Sequence, residues 1–164
     1  MVLKSKYIEE INDPQDRDMG IIFSVLESGN SVELPAVGYS MFPTLQPGDI
    51  VVMKSLANRE LPIPGTIIIL KDDHRLIMHR LLSIKNVYNN TMVITRGDSM
   101  PKEDDPWNPN NILGFATSFK RCGKRYSLKC SNPAKWRYRY NRILVVLYSK
   151  IKKLKHVTGL FFIF

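Results

Sequence analysis

The stretch Val37-Gly38-Tyr39-Ser40-Met41-Phe42-Pro43-Thr44-Leu45-Gln46-Pro47-Gly48-Asp49 sets one serine between a glycine and two prolines, directly ahead of the apolar run Ile50-Val51-Val52-Met53. Pro43 and Pro47 fix φ and remove backbone donors, so neither a helix nor a paired strand runs through; Gly38 lets a bound backbone come close or takes a positive φ. The reading is a rigid turn that holds the Ser40 hydroxyl still. Strand-type segments lie on both sides of it, at 31–37, 49–54, 65–70, 75–87, 91–95 and 112–121, separated by Pro, Gly and Asn turns. They predict a mainly β fold: a twisted, partly barrelled antiparallel sheet. Upstream, Asp13-Pro14 starts a helix that runs to Leu26, with Ile22, Val25 and Leu26 on its apolar face and Gly29 ending it.

A serine hydroxyl stays protonated at neutral pH and needs a base within hydrogen-bond reach to act as a nucleophile. In Arg75-Leu76-Ile77-Met78-His79-Arg80-Leu81-Leu82-Ser83-Ile84 a histidine interrupts an apolar, strand-like run. An imidazole takes and returns protons near neutrality, which makes His79 the candidate base. Further on, Thr95-Arg96-Gly97-Asp98-Ser99-Met100-Pro101-Lys102-Glu103-Asp104-Asp105-Pro106 forms a turn with carboxylates able to orient that ring. His74, in Lys71-Asp72-Asp73-His74-Arg75, reads as a solvated turn residue, and His156 as part of a basic helix. The spacing of the acids relative to His and Cys gives no metal site, and the chemistry needs no cofactor.

The pattern Gly38-x-Ser40-Met41-x-Pro43-Thr44-Leu45-x-x-Gly48-Asp49, followed by a hydrophobic strand, resembles the serine-peptidase family that contains type I signal peptidases and LexA-like self-cleaving repressors. The resemblance covers about residues 31–121 and implies a β-rich peptidase core, attack on a peptide or protein substrate through an acyl-enzyme, and small residues before the cut. Most bacterial members and the LexA-like ones carry a lysine where His79 stands; histidine is the pattern of the endoplasmic-reticulum, archaeal and sporulation-type branch. That branch places a Gly-Asp pair and then a second acid in the turn after the histidine strand, which maps onto Gly97-Asp98 and then Asp104 or Asp105. Asp98 with Asp104 is the favoured assignment, although Ser99-Met100-Pro101 stand where the branch has asparagines. Asn111-Ile112-Leu113-Gly114-Phe115-Ala116-Thr117 resembles the closing strand. The oxyanion and substrate positions map to Gly38, Ser40 and Met41, with the Ser40 amide as first donor; Gly38 occupies the place of a hydroxyl donor found in many bacterial relatives.

The chain has 164 residues, 44% hydrophobic and 24% charged, enough for one modest core and no repeats. Three parts follow: an N-terminal helical segment (1–30), the β core (31–121) and a basic hairpin and helix extension (122–164). From Lys120 onward there are 13 basic residues and no acid, which leaves 11 basic against 15 acidic ones before it. The extension contains a helical stripe at Ile143, Leu144, Leu147, Ile151 and Leu154, with lysines on the other face. Such a basic amphipathic helix suits an anionic membrane surface, through Trp136 to Phe164, or covers a face of the β core. No stretch approaches the roughly 20 apolar residues of a spanning helix, since Lys150 to Lys155 break the longest candidate.

Cys122 and Cys130 flank an expected hairpin, where a disulfide is sterically conceivable. The charged N-terminus has no signal-peptide pattern, so the expectation is a cytoplasmic protein with free thiols, peripheral at the membrane if anywhere near it. The family usually carries a spanning helix ahead of the serine motif. Without one, a cytoplasmic peptide, a precursor leader or the chain itself becomes the expected substrate. Two other functions compete with the Ser/His endopeptidase. One is a LexA-like self-cleaving module, which the chain weakens by lacking a helix-turn-helix and the lysine. The other is nucleic-acid binding through Trp136, Tyr138 and Tyr140 interleaved with Arg137, Arg139 and Arg142, disfavoured by the long apolar stretches that follow.

Overall fold

The computed structural model describes residues 14–56, 60–72, 75–87 and 90–158. Asp13, His74 and the side chain of His156, all named above, lie outside the described residues. The elements run α1 (Pro14–Glu27), β1 (Ser31–Pro35), β2 (Ile50–Ser55), β3 (Ile67–Asp72), β4 (Arg75–Val87), β5 (Asn90–Arg96), a 3-10 turn (Pro109–Asn111), β6 (Ile112–Arg121), β7 (Lys124–Ser127) and α2 (Lys135–Thr158).

All strand pairs are antiparallel, in one seven-stranded sheet of order β1-β2-β6-β3-β4-β5 with β7 on β6. The sheet is not closed, because β1 and β5 stand at its two ends and do not pair with each other. The β6–β7 turn places Cys122 and Gly123 at positive φ, 48° and 75°. That is the two-residue hairpin geometry whose twist matches the strands it joins. Both cysteines are unpaired thiols. Among the described residues no helix is long and apolar enough to cross a membrane.

Strand β3 explains where the core sits. Ile67, Ile68, Ile69 and Leu70 are all buried, and successive side chains of a strand point to opposite faces. Ile67 and Ile69 therefore join one apolar cluster, with Leu26, Met41, Leu45, Val51, Met53 and Phe119, while Ile68 and Leu70 join another with Leu81, Val93 and Ile112. Helix α1 closes the first cluster through fully buried Leu26, with Ile22 and Phe23 beside it. It ends as the sequence suggests, with the Asn30 and Gly29 amides donating back to Val25 and Leu26 carbonyls.

Of the two arrangements open to helix α2, cover for the β core is not the one observed. Ile143, Leu147 and Ile151 of the stripe are 58%, 52% and 56% exposed, and the Leu154 side chain lies outside the described residues. The buried positions are instead Tyr138 and Asn141, with Leu144 half-buried. The cause is polar. Asn141 Nδ2 donates to the Asp98 carbonyl at 2.9 Å, and the Tyr138 ring lies under the Arg96 guanidinium at 3.7 Å, so specific contacts set the helix rotation.

Candidate active site

The loop bearing Ser40 is closed at its base by two backbone bonds, Ala36 N–H to the Asp49 carbonyl and Gly48 N–H to the Ala36 carbonyl, both 2.8 Å. Met41 and Leu45 drop into the first apolar cluster and hold the loop down; each fully buried side chain of this kind contributes about 1.5–3 kcal/mol. The Met41 side chain is therefore an anchor, and its expected place against substrate passes to its backbone alone. Phe42 N–H donates to the Tyr39 carbonyl and Leu45 N–H to that of Met41, forming one tight turn that Ser40 opens. Among the described residues the Ser40 and Met41 amides have no acceptor, which leaves two adjacent donors beside the hydroxyl. At the far end of the loop, buried Asp49 accepts the Gln46 amide and a two-pronged contact from Arg121 at 2.7 and 2.8 Å. Gly38 keeps a negative φ, contrary to one expectation for it; the positive φ in this loop belongs to Gly48. A Cβ on Gly38 would meet nothing within 4 Å, so the position faces open space.

His79 lies on β4, opposite Ile68 of β3, and is buried apart from 8% of its surface. Its Nδ1 lies 2.5 Å from Asp104 Oδ2. The same oxygen accepts from Thr95 Oγ1 at 2.6 Å, and the Asp104 amide donates to the Thr95 carbonyl at 2.9 Å, so β5 holds the acid in place. Burial pushes the Asp104 carboxyl up, but hydrogen bonds from His79 and Thr95, with the charge of Arg96 nearby, outweigh it and hold the group below its ordinary value of 3.8. An ionised carboxylate only accepts, so Nδ1 carries a proton toward Asp104, and in the form of the ring with one proton the lone pair falls on Nε2. Asp105, the alternative left open by the sequence, is exposed and makes no contact with His79.

The turn at 97–100 joins these two parts. A Cβ on Gly97 would sit 2.7 Å from the Ser40 carbonyl oxygen, 3.0 Å from His79 Nε2 and 2.6 Å from Met100 Cγ. The Ser40 carbonyl oxygen and His79 Nε2 thus border one space that a side chain at position 97 would fill. Ser99 stitches the turn to the serine loop: its amide donates to the Ser40 carbonyl at 2.9 Å, and its hydroxyl lies 2.7 Å from the Tyr39 carbonyl and 3.1 Å from that of Ser40. Among the described residues no hydrogen bond links Ser40 Oγ to His79 Nε2.

Asp98 does not orient the imidazole. Its carboxylate is fully buried and forms a two-pronged pair with Arg80, Nε to Oδ1 at 2.8 Å and Nη2 to Oδ2 at 2.7 Å, and Thr44 Oγ1 of the serine loop donates to it at 2.5 Å. His79 and Arg80 are neighbours on one strand and project to opposite faces, so each takes a different acid. Arg80 also reaches the carbonyls of Gly65 and Ser131. Arg80, Thr44, Thr95 and Ser99 were not singled out by the sequence reading. For Arg80 the signal was present, since a charge inside an apolar strand demands a buried partner; for Ser99 no local pattern distinguishes it from an ordinary turn serine.

Among the described residues no three His, Cys, Asp or Glu side chains converge as a cation cage. Compared with known families and curated sequences, the chain matches no family model and no curated protein.

Proposed function

We propose that the chain is a serine endopeptidase of the signal-peptidase and LexA-like kind, in which Ser40 attacks a peptide carbonyl and His79 is the general base. The observation that carries this reading is the convergence of the Ser40 backbone and His79 Nε2 on the space above Gly97, with Asp104 on the other ring nitrogen. Nε2 takes the hydroxyl proton as Oγ bonds to the carbonyl carbon, and the ionised Asp104 stabilises the imidazolium that forms. The oxyanion is met by the Ser40 and Met41 amides, which lie at the opening of a tight turn and have no competing acceptor among the described residues. His79 returns the proton to the leaving amine, and water then hydrolyses the acyl-enzyme. Asp98 and Arg80 serve as positioning residues, because they tie β4, the 97–100 turn and Thr44 of the serine loop into one rigid unit.

A fluorophosphonate probe tests the reading. It should label the wild-type chain on the peptide containing Ser40 and leave Ser40→Ala unlabelled. Equal labelling of the two proteins overturns the proposal.

A further inference from the structure

The outward face of α2 forms a continuous apolar ridge. Trp136, Tyr140, Ile143, Leu147 and Ile151 recur at helical spacing, and all are at least 52% exposed. They lie on the side of the helix away from Tyr138 and Asn141, which dock it to the 96–98 segment. Arg137, Arg139 and Lys150 flank the ridge, and they and Arg142, further round the helix, are exposed as well. From residue 120 onward the chain holds 13 basic residues and no acid.

We infer that this face of α2 docks on an anionic lipid surface, lying in the plane of the interface with the ridge among the acyl chains and the arginines and lysine at headgroup level. The chemistry decides between occupants. A second copy of the helix would bring cations against cations with no acid to offset them. A single-stranded nucleic acid would find only Trp136 and Tyr140 to stack on, because Ile143, Leu147 and Ile151 offer no aromatic face. A bilayer surface accepts all five, with the indole and phenol at the interfacial level that suits rings with one polar end. The long stems of the flanking cations cover apolar surface while their heads stay in the wet, negatively charged layer.

The geometry gives this docking a consequence for the serine loop. Tyr148, on the same helix, packs at a tilt against Tyr39 and Phe42, with ring centroids 6.0 and 5.4 Å apart. Tyr39 adjoins Ser40 and Phe42 lies two residues beyond it, so the docked helix is in direct contact with the serine loop. The docking itself does not depend on the peptidase reading, because vesicle binding is measured without any activity.

The test uses the full chain with phosphatidylcholine–phosphatidylglycerol vesicles, phosphatidylcholine vesicles alone, and a single-stranded RNA as competitor. Binding should follow the anionic lipid and shift Trp136 emission to shorter wavelength, a shift absent in Trp136→Phe. The double variant Ile143→Glu, Leu147→Glu, whose positions touch solvent in the fold, should keep its melting temperature and lose at least about tenfold in partitioning. Arg139→Gln with Arg142→Gln should weaken binding roughly twentyfold at low salt. Equal binding by wild type and the double glutamate variant overturns the inference. So do equal binding to neutral and anionic vesicles, RNA that displaces the vesicles, and a dimer that the glutamate pair dissociates.

Discussion

The two faces of strand β4 meet one acidic turn with opposite results. On one face Arg80 and Asp98 form an ion pair with side chains only 4% and 1% exposed, reinforced by Thr44 and by the Gly65 and Ser131 carbonyls. On the other, His79 and Asp104 are 10% and 18% exposed, and among the described residues His79 Nε2 has no hydrogen-bond partner. Both acids come from the same turn, six positions apart. The first pair uses both carboxylate oxygens and four of the five guanidinium N–H groups, which suits it to holding the fold; the second has no partner on Nε2 among the described residues, as the proposed proton transfer requires. Completeness of hydrogen bonding, rather than residue type, separates the acid that ties the fold from the one to which we assign a part in the proposed chemistry.

The sharpest way to break this comparison is at Asp104. Asp104→Asn keeps the shape but lets the amide donate to Nδ1, which moves the ring proton to Nε2 and removes the base; acylation of Ser40 should fall about 10³–10⁴-fold. The same variant checks the stability side. A carboxyl held below 3.8 adds stability that is fully present above that value and lost as pH falls through the lower folded value. Acid titration of unfolding should therefore be shallower below pH 3.8 in Asp104→Asn than in wild type. Identical profiles would mean the His79 contact adds nothing to folding.

Arg80→Met probes the other face. It strands the buried Asp98 carboxylate with Thr44 as its remaining side-chain partner, and the unfolding free energy from a urea titration should drop by about 3–5 kcal/mol. A drop under about 1 kcal/mol would put this pair in the class of solvated surface ion pairs. Gly97→Ala acts on the space between the two faces. Its methyl would press on the Ser40 carbonyl and His79 Nε2, so the labelling rate should fall about 10²-fold for a shift of roughly 1 Å. Wild-type rates in Gly97→Ala would show that the converging groups do not have to meet there.

Much of the sheet was legible because Pro, Gly and Asn breakers bound apolar alternation so clearly. Arg75 to Val87 and Ile112 to Arg121 form strands over the expected residues, and the other strand ends differ by one or two positions. Closure of the sheet was not legible, since it depends on whether the end strands meet. Ser40 and His79 stood out as lone chemistry-bearing residues in a turn and in an apolar strand. The acids were harder. Asp98 and Asp104 look alike in a polar turn, and only the alternation of β4 side chains, once registered against β5, sends one to Arg80 and the other to His79. Helix α2 was left with two readings, an apolar stripe on the β core or one facing a membrane surface; Asn141 and Tyr138 found specific partners on Asp98 and Arg96 and turned the stripe outward.

The most direct test of the relay is the second-order rate at which a fluorophosphonate modifies Ser40, compared between wild type and His79→Ala at neutral pH. The account predicts a loss of at least about 10³-fold with the melting transition retained. Equal rates in the two proteins would contradict it, because the hydroxyl would then be activated without the imidazole.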